Sequence, residues 1–317
     1  MTSLLRLLRA PAVRAGFVVV ALALAVAAIV SSWDSVRPAL LSLSLPLLAA
    51  SALSGILYVL ATMAAWREVL ADLGSRFTLR DASAVFFVSQ LGKYVPGGVW
   101  NLVAVSELAA DRQVPRRRSV AAMAVTLLLS IATGLVGAAV GLALAPDGAR
   151  AQFGLIVWLL PVLVVLLVPA VLNRVISWAL RAARRPPLEH DLSTRGTLLA
   201  VVWSFVAWIL AGVHLWLLAL AAGMELSVHT YALATGGYAL AWVVGFLVVV
   251  VPAGVGAREV VLIAVLAGVL GEGAVLVVTI VSRVLLTAID LIMAGLGWIA
   301  LSRGPTPPRQ PMPQGSG

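Results

Sequence analysis

Between Arg195 and Glu225 the chain carries no Asp, Glu, Lys or Arg, and the same holds between Arg118 and Asp147. Each run exceeds the roughly 20 apolar residues that a helix needs to cross a bilayer's hydrocarbon core. In lipid every backbone N–H and C=O must find a partner inside the protein, which leaves helices or closed barrels. Long apolar runs without strict alternation are the helical solution. The wider composition agrees: 62% of the 317 residues are hydrophobic and 11% are charged, whereas a soluble domain carries about 25% charged residues. The expected fold class is all-α, a polytopic membrane protein without a sizeable soluble domain.

Six segments meet the length requirement: 15–32, 39–64, 118–144, 152–172, 197–222 and 273–302. Two further apolar regions, 82–108 and 231–271, are interrupted by Pro and Gly. The first segment follows Arg6, Arg9 and Arg14, as a signal peptide would, but its small-residue context at Ala27, Ala28 and Ser31 is loose. A retained helix is therefore expected. Residues 1–302 are read as one integral membrane domain. Residues 303–317, rich in Pro and Gly, are read as a disordered cytoplasmic tail.

The net charge of +9 does not describe a nucleic-acid-binding face, because the basic residues fall in short connections between apolar runs. Arg67, Arg76 and Arg80 precede the 82–108 segment, and Arg112, Arg116, Arg117 and Arg118 follow it. Arg174, Arg181, Arg184, Arg185 and Arg195 occupy 173–196, whereas 223–230 holds no Lys or Arg. Basic connections stay on the cytoplasmic side, so both termini are expected there. The 82–108 segment has basic loops on both sides and must enter and leave from the cytoplasm. It reads as a re-entrant hairpin with arms 82–92 and 98–108, broken at Tyr94-Val95-Pro96-Gly97-Gly98, where proline removes a backbone donor and glycine permits a sharp bend. By the same reasoning 231–271 is a hairpin from the outside, broken at Val251-Pro252-Ala253-Gly254.

This arrangement contains a repeat. Helix 39–64, hairpin 82–108 and helix 118–144 form one unit. Helix 197–222, hairpin 231–271 and helix 273–302 form a second, oppositely oriented. The breaks align as Tyr-Val-Pro-Gly-Gly-Val at 94–99 and Val-Val-Pro-Ala-Gly-Val at 250–255. The expectation is about six spanning helices plus two re-entrant hairpins in an inverted repeat, an architecture that marks transporters and puts their sites between the repeats.

Intramembrane charges are costly, so those present are candidates for function. Lys93 sits just before the first break, Arg258 and Glu259 just after the second, and Arg283 lies in the last helix with Thr287 and Asp290 at i+4 and i+7. That spacing puts all three on one helix face, with Arg283 and Asp290 about 10 Å apart along the axis. A half-helix starting near Gly256, with the Arg258 guanidinium, suits a phosphate. The alternative is structural: Arg258 pairs with Glu259 or an opposing carboxylate and pins the hairpin, and the last helix carries a tying network. Gln90, Tyr94 and Asn101 are placed to line the first break, and Trp100 to meet an acyl chain or headgroup. Glu107 reads as interfacial and His214 as a buried, hydrogen-bonded helix residue. Gly134, Gly137 and Gly141 permit close helix packing, within one chain or between protomers of an oligomer.

Other chemistries find no foothold in the sequence. There is no cysteine, and His190, His214 and His229 lack metal-ligand spacing. Nucleophile elbows and phosphate-binding loops of nucleotide hydrolases are missing. No cofactor and no enzymatic activity are expected.

Leu-Gly-Lys-Tyr-Val-Pro-Gly-Gly-Val-Trp at 91–100 and Pro-Ala-Gly-Val-Gly-Ala-Arg-Glu at 252–259 closely resemble the two hallmarks of the lysylphosphatidylglycerol synthase transmembrane, or flippase-like, family. The resemblance spans nearly the whole chain. It implies a bacterial inner (plasma) membrane protein that moves a phospholipid or lipid-linked headgroup between leaflets. The two-part members resemble flippases of aminoacylated phosphatidylglycerol, and stand-alone members extend to other lipids or lipid-linked sugars. Membrane phospholipids with anionic or aminoacylated headgroups are the expected partners here. Fifteen residues follow the last helix (303–317), so a stand-alone member without the soluble synthase domain is expected. The positions matching the hallmarks are Lys93, Pro96, Gly98, Arg258 and Glu259. A rival expectation is a non-transporting scaffold for a separate synthase or glycosyltransferase, docking through loops 109–118 and 173–196.

Overall fold

The structure, a computed structural model, describes residues 33–41, 43–95, 100–182, 188, 190–248, 254 and 256–303. The expected first span 15–32, the tail beyond 303, and Pro96, Gly98 and Pro252 at the two breaks lie outside the described residues. Twelve α-helices and two short 3-10 segments occur among them, and no strand. In chain order the helices are α1 (Trp33–Leu41), α2 (Leu45–Asp72), α3 (Leu79–Gln90), α4 (Trp100–Ala110), α5 (Arg116–Ala143), α6 (Asp147–Phe153), α7 (Leu160–Leu166), α8 (Pro169–Ala182), α9 (Thr194–Ala221), α10 (Val228–Leu247), α11 (Ala257–Leu266) and α12 (Glu272–Ser302). The 3-10 segments cover Leu91–Tyr94 and Gly154–Leu159.

Helices α2, α5, α9, α10 and α12 are long and apolar enough to cross a membrane. Four of them correspond to segments expected from the sequence. Helix α10, 20 residues long, reaches about 30 Å and adds a candidate span where only a hairpin arm is expected. The 152–172 segment is not one straight helix. It passes from α6 through the Gly154–Leu159 3-10 turn into α7, and its two parts meet at 51°. Pro161 and Pro169 start the following helices, where proline is tolerated because the first-turn N–H has no intrahelical acceptor anyway. Helices α3 and α4 have 12 and 11 residues. At 1.5 Å per residue each is about 17 Å long, short of the ~30 Å core.

The long helices are tied by pairing rather than by hydrophobic segregation, which lipid does not drive. Helices α2 and α9 run antiparallel along each other: Asp72 meets Ser193, Ser54 bonds the Leu210 carbonyl and Ser51 meets His214. Asp72 accepts from the Ser193 N–H at 2.7 Å, a carboxylate at the positive end of α9. Helix α5 packs on α10, and α12 on α3. At the α5–α10 crossing a methyl on Gly141 would lie 2.6 Å from the Ala232 carbonyl oxygen and 2.7 Å from the Gly236 nitrogen. Gly134 faces the Trp208 ring. Both glycines are thus used inside the chain.

His214 is fully buried and clasps three helices. Its Nδ1 lies 2.9 Å from Ser51 Oγ on α2, and its Nε2 lies 2.9 Å from Ser282 Oγ on α12. Interhelical hydrogen bonds in membranes contribute about 0.6 kcal/mol on average, up to ~1.7. His214→Leu, similar in volume, is expected to lower stability by about 1–3 kcal/mol, read as a lower apparent melting temperature in detergent.

Among the described residues two large apolar cores result, with a smaller cluster around Leu142, Leu233 and Val265. Trp66, Leu70, Phe86 and Met123 anchor the first, between α2, α3 and α5. Trp208, Leu215, Leu266 and Val278 anchor the second, between α9, α11 and α12. Tyr58 and Leu286 touch both.

Candidate functional site

A cavity of about 230 Å³ lies where the two cores meet. Tyr58, Phe86 and Met123 line it from the first core, and Tyr238, Trp242 and Leu262 from the second. Its charged residues come from three elements distant in sequence: Lys93 from the 3-10 turn after α3, Arg258 and Glu259 from the start of α11, and Arg283 and Asp290 from α12. Tyr94, Asn101, Gln90 and Thr287 also line it. Trp100 does not: it begins α4 with 46% of its surface exposed. Of the residues expected from the sequence, all described ones except Trp100 therefore converge.

The charges form two pairs and leave one cation over. Lys93 Nζ stands 2.7 Å from Asp290 Oδ2, and the Tyr94 hydroxyl donates to the same oxygen at 2.5 Å. Asp290 is 6% exposed and Lys93 35%, so the carboxylate is the buried partner and the ammonium reaches the cavity. Arg283 Nε lies 3.7 Å from Glu259 Oε1. Glu259 Oε2 accepts the Gly256 N–H at 2.6 Å. This is the carboxylate half of a capping box at the start of α11; glycine has no side chain to supply the other half. With both oxygens engaged, Glu259 turns away from its neighbour. Among the described residues no carboxylate pairs with Arg258, and its buried Nε has no hydrogen-bond partner. Local pairing of Arg258 with Glu259, the structural alternative from the sequence, is not what the molecule does.

Arg283, Thr287 and Asp290 share the cavity face of α12 as their spacing predicts, yet Arg283 and Asp290 take separate partners. The aromatic side was not legible in the same way. Tyr238, Trp242 and Gly245 recur at i, i+4 and i+7 on α10, and Tyr58 and Thr62 at i, i+4 on α2. That periodicity was a usable signal, but such stripes in apolar helices read first as packing. Tyr58 and Tyr238 meet edge to face with centroids 6.2 Å apart.

Outside the cavity, Arg112, Arg116 and Arg118 of the 109–118 loop have partners within the chain. Arg112 forms a buried pair with Asp81 at 3.1 Å. Arg118 bonds the Gly74 carbonyl and Ser75 Oγ. Arg116 donates to both oxygens of Glu107, and these hydrogen bonds hold the exposed Glu107 carboxyl below its usual pKa. Among the described residues no cluster of His, Asp or Glu is arranged to hold a metal.

A comparison with curated proteins finds no match. Residues 12–294 match the family described as Lysylphosphatidylglycerol synthase TM region. That stretch contains the cavity and both interrupted motifs. The chain is a multi-pass membrane protein of the lysylphosphatidylglycerol synthase TM region family.

Proposed function

We propose that the protein is a lipid translocase of the bacterial inner membrane, moving a phospholipid or lipid-linked headgroup between leaflets. The observation that carries this is a cavity among apolar helices in which three cations face two carboxylates. The excess positive charge suits one phosphate oxyanion, which would otherwise be costly to bring into a low-dielectric region. The headgroup occupies the cavity while the acyl chains stay in lipid. Arg258 receives the phosphate first, Lys93 and Arg283 lend charge as their pairs loosen, and Glu259 and Asp290 contact any amine on an aminoacylated headgroup.

Packing supports the inverted repeat as the frame for this movement. Helix α2 pairs with α9, and the exchanged contacts α5 with α10 and α12 with α3 relate one unit to the other. The short α3 and α4 support a hairpin that enters and leaves on the cytoplasmic side. Rocking of one unit against the other exposes the cavity to alternate leaflets. Both termini are cytoplasmic in this reading.

The scaffold alternative rests on the basic loops 109–118 and 173–196, and the internal partners of Arg112, Arg116 and Arg118 weigh against docking through the first of them. The test is movement of labelled anionic, zwitterionic and aminoacylated lipids in proteoliposomes. Movement of at least one phosphate-bearing lipid is expected. If folded protein moves none of them, translocation is wrong, and pull-downs of a synthase or glycosyltransferase become the next experiment.

A further inference from the structure

We propose that Trp242 is a positioning residue: its ring holds the Arg258 guanidinium over the cavity without neutralising it, so that the edge of the guanidinium is kept for a phosphate oxyanion. This rests on the reading that the cavity takes a phosphate-bearing headgroup. The guanidinium carbon of Arg258 lies 5.8 Å from the Trp242 ring centroid, within cation–π range. Trp242 is itself fixed: Phe246, one turn on, stacks on it at 5.4 Å with planes 6° apart, and Trp208 meets it edge-on at 5.4 Å. The Arg258 stem passes Gly245, where a methyl would stand 3.0 Å from Arg258 Cγ and 3.4 Å from Nε. Trp242 and Gly245, three residues apart on α10, thus make a seat with an aromatic floor and a notch for the aliphatic stem.

The choice of an aromatic partner has a chemical consequence. A carboxylate would occupy the in-plane N–H donors of arginine and would have to be displaced by phosphate. The face of an indole attracts the cation through its quadrupole and leaves those in-plane donors unused. Lys93 and Arg283 in the same cavity have carboxylate partners. Lys93 lies 5.4 Å from the Tyr94 ring centroid but is also paired with Asp290. Among the described cavity cations Arg258 is the one with a ring and no carboxylate, and its buried Nε has no hydrogen-bond partner there.

The test uses the full-length protein in detergent and titrates short-chain phosphatidylglycerol by calorimetry, with short-chain diacylglycerol as the phosphate-free control. Trp242→Leu is expected to weaken phosphatidylglycerol binding roughly tenfold, and Trp242→Phe, which keeps a ring, to restore most of it. Diacylglycerol binding stays unchanged in both. Because Trp242 also packs on Trp208, Gly245→Ala is the second variant: it disturbs the Arg258 stem and leaves the ring in place, and is expected to weaken phosphatidylglycerol roughly three- to tenfold. Wild-type affinity in Gly245→Ala and in folded Trp242→Leu overturns the proposal, as does failure of the wild type to bind phosphatidylglycerol at all. Binding with this pattern but no lipid movement in vesicles upholds the role of Trp242 and sinks the transport reading instead.

Discussion

Arg258→Gln is expected to cut lipid translocation in proteoliposomes about ten- to a hundredfold while the protein still folds and inserts. The size follows from charge-assisted hydrogen bonds, which contribute ~1.5–3 kcal/mol each when a guanidinium meets an oxyanion. The direction follows from the pairing. With Lys93 held by Asp290 and Arg283 by Glu259, removing Arg258 leaves as many carboxylates as cations in the cavity. A phosphate entering it must then break an existing pair to find compensation. The fold should survive because no described carboxylate depends on Arg258, so none is orphaned in an apolar region. Thermal unfolding and size-exclusion profiles check that second half. A variant that aggregates or fails to insert would make Arg258 a structural pin. A folded variant that moves lipid at the wild-type rate would remove it from the site.

A large loss of stability is expected at Gly141. In Gly141→Leu the first carbon of the side chain already stands 2.6 Å from the Ala232 carbonyl oxygen and 2.7 Å from the Gly236 nitrogen. These are backbone atoms of a helix and cannot rotate aside. Overpacking against side chains costs about 1–3 kcal/mol; a backbone contact forces α5 and α10 apart, so at least ~3 kcal/mol is expected. Helix α10 also carries Tyr238 and Trp242 into the cavity, and any protein that survives should bind lipid poorly. Gly137→Ala, one turn away, is the contrast. A methyl there meets only the Ala239 side chain at 4.0 Å, and its melting temperature should match the wild type. Equal effects at the two positions would mean that this crossing is looser than the distances imply.

The same pair of glycines shows what a small-residue face leaves open. Gly134, Gly137 and Gly141 lie on α5 at positions that permit close packing, but the spacing does not name a partner. Partners are chosen by which helix comes alongside, here α10 with its own Gly236. The span boundaries show a related limit. The apolar run ends near residue 64, yet α2 continues through Trp66, Arg67 and Glu68 to Asp72. Hydropathy measures the stretch that lipid tolerates; backbone hydrogen bonding carries the helix past it. Conversely, 152–172 is apolar enough for one span, and Gly154 and the flanking prolines divide it by local backbone chemistry.

By itself the sequence determined that this chain is helical and membrane-spanning, because long apolar runs without strict alternation satisfy their backbone in lipid as helices. It also located the charges that lipid would not tolerate, and thereby most of the cavity's polar residues. Only the tertiary structure decided how those charges pair. Tyr94 and Asp290, 196 residues apart, meet because α12 packs against α3, and Glu259 turns to Gly256 and Arg283 because a helix begins there. Ion pairing depends on separations of a few ångströms, whereas a helix face fixes direction but not neighbour. That is why Arg258 was legible as a candidate, while its freedom from a carboxylate and its seat on Trp242 were not.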